Sequence, residues 1–197
     1  YKGGEYREDK ELEQIHLVLG FKGLDYFNDD YYALKIYSAI MGAGMSSRLF
    51  QEIREKRGLV YSIHASSRSF YDTGTFQIIA GTGEKQIKEL LPVLCEELLN
   101  APKNLTEQEI EKSKTQLKSA TLMSTESTMA NAAIAVHQIF TKGKLVKIEE
   151  TIEKIQNVTK SSIEKVATKL LSSKPTIASI GPIKNLEILD KVQNRLN

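Results

Sequence analysis

An α+β domain is the fold class this sequence predicts: a mainly antiparallel sheet covered by helices, with additional helices toward the C-terminus. Three observations carry that expectation. Segments with period-2 alternation gather early, at residues 14–21, 59–69 and 75–80, with one late addition at 175–180. Segments with a 3.6 period run almost without interruption from Glu84 to Ser172. The resulting order, β-α-α-β-β-α-α-α-α-α-β, segregates strands from helices, whereas a doubly wound nucleotide fold alternates them. With 197 residues the chain is long enough for one sizeable core and is read as a single domain, 1–197.

The opening Lys2-Gly3-Gly4 and the charged run to Lys10 read as a linker tail. In Gln14 to Phe21, Ile15, Leu17 and Leu19 alternate with His16, Val18 and Gly20, a half-buried strand. Asn28 to Asp30 offer caps for a helix carrying Ala33, Leu34, Tyr37, Ile40 and Met41 on one side, ended by Gly42-Ala43-Gly44. A short helix from Arg48 to Lys56, capped by Ser46 or Ser47, has Leu49, Phe50 and Ile53 as its inner stripe. Its last turn is cationic, and Gly58 sits where a left-handed terminating residue belongs.

Leu59 to Ser69 and Thr75 to Ala80 flank the turn Tyr71-Asp72-Thr73-Gly74 and form an antiparallel hairpin. Ile87, Leu90, Leu91, Leu94 and Leu98 mark the next helix, with a kink expected at Pro92 because an interior proline costs roughly 3 kcal/mol. Thr106-x-x-Glu109 is a capping box ahead of a helix to about Met123. Further helices are predicted at 126–141, 147–157 and 159–172, then the strand Pro175 to Ile180 and a short terminal helix after Gly181-Pro182.

Composition excludes several classes of function. Apolar residues make up 41% and charged residues 26%, and the net charge is +2. No run approaches the ~20 apolar residues of a membrane span. Lys and Glu alternate along the helices instead of forming the basic stripe with aromatic platforms that nucleic-acid binding requires. Cys95 is the only cysteine, so neither an internal disulfide nor a cysteine metal cluster can form, and its apolar helical setting predicts a buried residue. The chain opens at Tyr1 rather than a methionine, so any targeting peptide is expected upstream.

Chemistry-bearing motifs are few. His16, His64 and His137 are scattered, with no H-x-x-H, H-E-x-x-H or H-x-x-E-H pair, whereas zinc needs three or four converging ligands. Gly42-Ala43-Gly44-Met45-Ser46-Ser47 precedes a helix but follows another helix and lacks P-loop lysine spacing, so it reads as a connection. No G-x-S-x-G nucleophile motif occurs, and Glu96-Glu97 and Glu149-Glu150 read as solvated helix faces.

One segment stands apart, from Ser46 to Ser62. Arg54 lies in the last turn of a helix and Tyr61 near the start of the following strand, with Gly58 permitting the sharp reversal between them. A permanently charged planar fork and a directed O–H donor suit a carbonyl oxygen that becomes negative during acyl transfer. The plainer account of the same residues is a cation answering the helix dipole and a strand tyrosine packed in a core.

The run Asp30 to Ile63 (DYYALKIYSAIMGAGMSSRLFQEIREKRGLVYSI) closely resembles the second half of bacterial zinc peptidases related to pitrilysin, insulin-degrading enzyme and mitochondrial processing peptidase. Gln14 to Phe21 is similar to that half's opening strand, and Thr106-x-x-Glu109-Ile110 and Glu126-Ser127-Thr128 to its later helices.

The resemblance implies a metallopeptidase-half architecture, in which two similar α+β halves close like a clamshell over extended or unfolded peptides. It implies that zinc is a cofactor of the full enzyme, held by an N-terminal half through H-x-x-E-H and a distal glutamate. That motif is absent from this chain, which is expected to bind no metal and to be inactive alone. By position, Arg54 and Tyr61 match the family's substrate-contacting pair, and the tyrosine helps stabilise the tetrahedral intermediate.

Expected partners are the zinc-bearing half in the same or a separate chain, an extended peptide, and a second copy in a homodimer. The compartments implied are bacterial cytoplasm or periplasm, or the mitochondrial matrix. Three readings stay open: a fragment of a single-chain peptidase, a zinc-less partner subunit, and a non-catalytic relative like the core subunits of the respiratory bc1 complex. The presence of Arg54 and Tyr61 argues against the third.

Overall fold

The strands assemble into one five-stranded sheet in the order β1-β5-β2-β4-β3 in a computed structural model that describes residues 1–197. β1 spans Gly4–Asp9, β2 Ile15–Lys22, β3 Ser62–Ser69, β4 Gly74–Thr82 and β5 Thr176–Gly181. All pairings are antiparallel except β1 with β5. The α+β class holds, and the sheet is mainly antiparallel.

Alternation along the strands separates two faces. Ile15, Leu17, Leu19 and Phe21 of β2 point into the core beside Phe76 and Ile78 of β4 and Ile177 of β5, all nearly inaccessible. The opposite face carries His16 and Lys22, Ile79, and His64 and Arg68, all exposed. Helices cover only the first face. α1 (Tyr31–Gly42) lies against β3 and α6 (Lys160–Leu171), and α2 (Ile87–Asn100) packs on α7 (Leu189–Leu196).

The opening residues are a correction. Gly4–Asp9 forms an edge strand instead of a linker tail, its register running from Gly4 opposite Thr176 to Asp9 opposite Gly181. None of its six residues is buried, so no apolar alternation marks it. The strand is held by the backbone ladder and by Arg7, whose guanidinium donates to the carbonyls of Leu186 and Glu187.

Several boundaries also differ. β3 begins at Ser62 because Leu59 and Val60 turn into the core, where the Leu59 carbonyl accepts a 2.6 Å bond from Thr82 Oγ1. α2 continues through Pro92, whose absent N–H would have met the carbonyl of Lys88 on the exposed side. The predicted capping box is present: Glu109 N–H donates to Thr106 Oγ1 at 3.3 Å and Thr106 N–H to Glu109 Oε2 at 2.9 Å, opening α3 (Glu107–Ser124).

α4 (Thr128–Lys142) and α5 (Ile148–Gln156) complete the set. α4 buries no residue at all. From Ser127 to Thr141 it carries no Asp, Glu, Lys or Arg, yet Met129, Val136, Ile139 and Phe140 are exposed. No helix is long and apolar enough to cross a membrane.

Candidate functional site

The segment that follows α1 is fastened at both ends. At its start, Gly42 crosses β3 so closely that a Cβ there would lie 2.1 Å from the Ala65 amide nitrogen. Ser47 Oγ donates to the Gly44 carbonyl and Ser46 Oγ accepts from Lys112, so neither serine caps the next helix as the sequence suggested. The fastening instead comes from Arg48. Its guanidinium pairs both oxygens of Glu109, Nε to Oε1 at 2.5 Å and Nη2 to Oε2 at 2.7 Å, and Nη2 also donates to the Asn104 carbonyl at 2.8 Å. Burial alone would raise the Glu109 carboxyl, but hydrogen bonds from Arg48 and Thr106 outweigh it and hold it down at about 2.

Phe50–Glu55 is a π-helix rather than the predicted α-helix, with Lys56 N–H reaching the Gln51 carbonyl at 3.0 Å. The wider turn keeps Leu49 and Ile53 fully buried while Phe50 stays at the surface edge, where the Arg54 guanidinium lies 4.7 Å from its ring centroid. Arg54 is exposed and makes no ion pair or hydrogen bond through its side chain.

Gly58 ends the π-helix at φ +61°, the left-handed conformation expected of it. Its N–H bonds the Arg54 carbonyl at 3.1 Å and the Leu59 N–H bonds the Ile53 carbonyl at 3.0 Å. The Tyr61 N–H then bonds the Gly81 carbonyl at 2.8 Å, docking the backbone on β4 just before β3 begins. Its side chain is 59% exposed, so the alternative of a strand tyrosine packed in the core does not apply. Arg54 and Tyr61 thus flank a single turn at the surface, with no hydrogen bond between them.

The histidines do not converge. His16 faces Gly81 and Ile180, His64 faces Ile79 one row along, and His137 stands edge-on to Tyr26 with centroids 4.7 Å apart. No three His, Cys, Asp or Glu side chains are grouped to hold a metal, so zinc does not fit the residues of this chain. The Glu109 half of the Arg48 clamp was visible as a capping box. Arg48 itself carried no signal, because its partner lies 61 residues away.

A family model described as the peptidase M16 inactive domain matches residues 1–117. An uncharacterized zinc protease of Rickettsia bellii is 36% identical over 183 residues, covering 92% of this chain and 44% of that protein. The mitochondrial-processing peptidase subunit alpha of Caenorhabditis elegans is 30% identical over 210 residues, covering 96% of this chain and 41% of that protein. Among solved structures, a chain of complex III from Candida albicans superposes with a TM-score of 0.87 over 98% of this chain and 49% of that one, at 20% identity, a likeness of fold. The chain therefore spans less than half the length of the curated relatives it matches. It belongs to the peptidase M16 family and corresponds to the C-terminal half of such a protease.

Proposed function

We propose that this chain is the substrate-gripping, transition-state-stabilising half of a zinc metalloendopeptidase acting on extended or unfolded peptides. The observation that carries the reading is the Arg54–Tyr61 turn: a guanidinium and a phenol, both exposed and without a hydrogen-bond partner in the chain, flanking one tight reversal. The Tyr61 O–H donates to the carbonyl oxygen of the cleaved bond as it gains negative charge, and Arg54 holds the neighbouring backbone. The zinc implied by the relatives' names is carried by the other half.

The exposed surface of α4 from Thr128 to Thr141, which carries no charged residue, supports such a partner, since interface cores are depleted of charge and enriched in Met and aromatic residues. The similarity to a mitochondrial-processing peptidase subunit favours a second reading, in which the other half is a separate chain.

The test is Tyr61→Phe and Arg54→Ala in the assembled enzyme. Removing one such donor costs about 2.7–4 kcal/mol of transition-state stabilisation, so kcat/KM should fall about 10²–10³-fold with zinc content unchanged. Wild-type turnover in both variants overturns the assignment.

A further inference from the structure

A cleft of ≈ 1050 Å³ opens between the C-terminal half of β3 and α4. Tyr61 precedes the opposite end of the same strand, roughly 20 Å away at about 3.3 Å per residue. The cleft differs from the rest of the surface in charge. Its lining contains Lys35, Arg68 and Lys142 but no aspartate or glutamate, although 25 of the 197 residues are acidic.

None of these three cations takes part in an ion pair, although nine other cationic side chains do. Lys35 is the most constrained. Its Nζ donates to the Ser67 carbonyl at 2.8 Å and sits 5.4 Å from the Tyr31 ring centroid, and burial pushes its pKa down because no carboxylate offsets the loss of water.

The hydroxyls beside it are also unfulfilled. Ser67 Oγ and Ser69 Oγ are buried without a hydrogen-bond partner, and Ser69 is only 3% exposed. Unsatisfied donors next to a lysine without a carboxylate neighbour, in a recess whose lining carries no acid, attract an anion, and the field is focused there by the low-dielectric walls. The rest of the lining is suited to carbon. Tyr26, Tyr31 and Tyr32 form one wall with successive centroids 6.1 and 5.0 Å apart, and Ile134 and Leu145 add apolar lining.

We propose that this cleft is a carboxylate-binding site. It takes an organic acid whose charged end is held by Lys35 and the Ser69 hydroxyl in the field of Lys142, and whose carbon body lies on the tyrosine wall. The carboxylate comes either from an acidic peptide segment or from a free organic acid. The site is independent of the Arg54–Tyr61 turn and does not depend on which peptide bond, if any, is cleaved.

Isothermal titration calorimetry on the complete protein tests it with three probes: acetyl-Phe-Glu-Glu-amide, the matching Gln-Gln peptide, and glutarate. At least one carboxylate probe should saturate a single site and bind at least tenfold tighter than the Gln-Gln peptide. Tighter binding of the acidic peptide than of glutarate identifies a peptide source, and the reverse identifies a free acid. The double variant Lys35→Gln, Lys142→Gln should weaken that binding at least tenfold, while Lys88→Gln, on the exposed face of α2, should leave it unchanged. The proposal fails if neither carboxylate probe binds, if the Gln-Gln peptide binds as well as the acidic one, or if the double variant keeps wild-type affinity. The comparison of probes on the unmodified protein decides the matter even if the double variant folds poorly.

Discussion

Arg48 and Glu109 meet through two parallel charge-assisted bonds, 2.5 and 2.7 Å long, that tie the start of the π-helix segment to the first turn of α3. The same carboxylate closes the capping box with Thr106, so one side chain serves both a helix terminus and a tertiary contact. Arg48→Ala should destabilise the chain by about 1.5–3 kcal/mol, the range for hydrogen bonds to charged groups. Chemical denaturation measures this, and a loss below 0.5 kcal/mol would show that the clamp is ornamental.

Acid should dissolve the clamp in a defined window. The Glu109 carboxyl is held at about 2 when folded, below its ordinary value of 4.5. A depressed carboxyl contributes stability that is full above the unfolded value and is lost as pH falls through the folded one. The stability difference between the wild type and Glu109→Gln should therefore be greatest above about pH 5 and shrink between about 4.5 and 2. A difference independent of pH would contradict this.

Two glycines near the site should respond differently to alanine. At Gly42 a Cβ would strike backbone and side chain of Ala65, neither of which can retreat, so Gly42→Ala should cost at least the ~1–3 kcal/mol of core overpacking. At Gly58 the space is open and only the φ of +61° resists, at about 1–2 kcal/mol. Thermal unfolding of the two variants should rank them in that order.

Cys95 should be inert. It is buried in α2, and burial, modified by the nearby Arg195 and Glu187, pushes its thiol up to about 12, far from the reactive thiolate range. A disulfide reagent should label it only at the rate of unfolding. Rapid stoichiometric labelling of native protein would mean that α2 opens.

Phe140 should matter for assembly and not for folding. It is 83% exposed on a helix with no buried residue. Phe140→Ser should change the chain's own stability by less than about 0.5 kcal/mol while weakening association with the other half by more than 1 kcal/mol. Denaturation of the isolated chain and a binding titration with that half separate the two effects.

Much of this molecule was readable from local patterns. β2, the β3–β4 hairpin, the Thr106 capping box and the left-handed Gly58 follow from alternation, turn chemistry and capping, whose partners lie within a few residues. The exposed positions of Arg54 and Tyr61 follow from that same turn. Elements without a local signal were not readable. β1 exists because β5 offers it a ladder, and its own residues bury nothing. The π-helix depends on keeping Leu49 and Ile53 in a shared core, and the Arg48 clamp and the acid-free cleft join residues far apart along the chain.

The placement of β5 has a consequence for how the chain is made. Thr176–Gly181, made well after Gly4–Asp9 and Ile15–Lys22, inserts between those two strands. At about 5–20 residues per second, β1 and one edge of β2 wait on the order of ten seconds for their shared neighbour. Over that interval the nascent sheet can hold only β2, β4 and β3, and the bare side of β2 is an invitation to wrong pairing. Chaperone demand during synthesis should therefore concentrate on that edge, and release should coincide with emergence of the final strand.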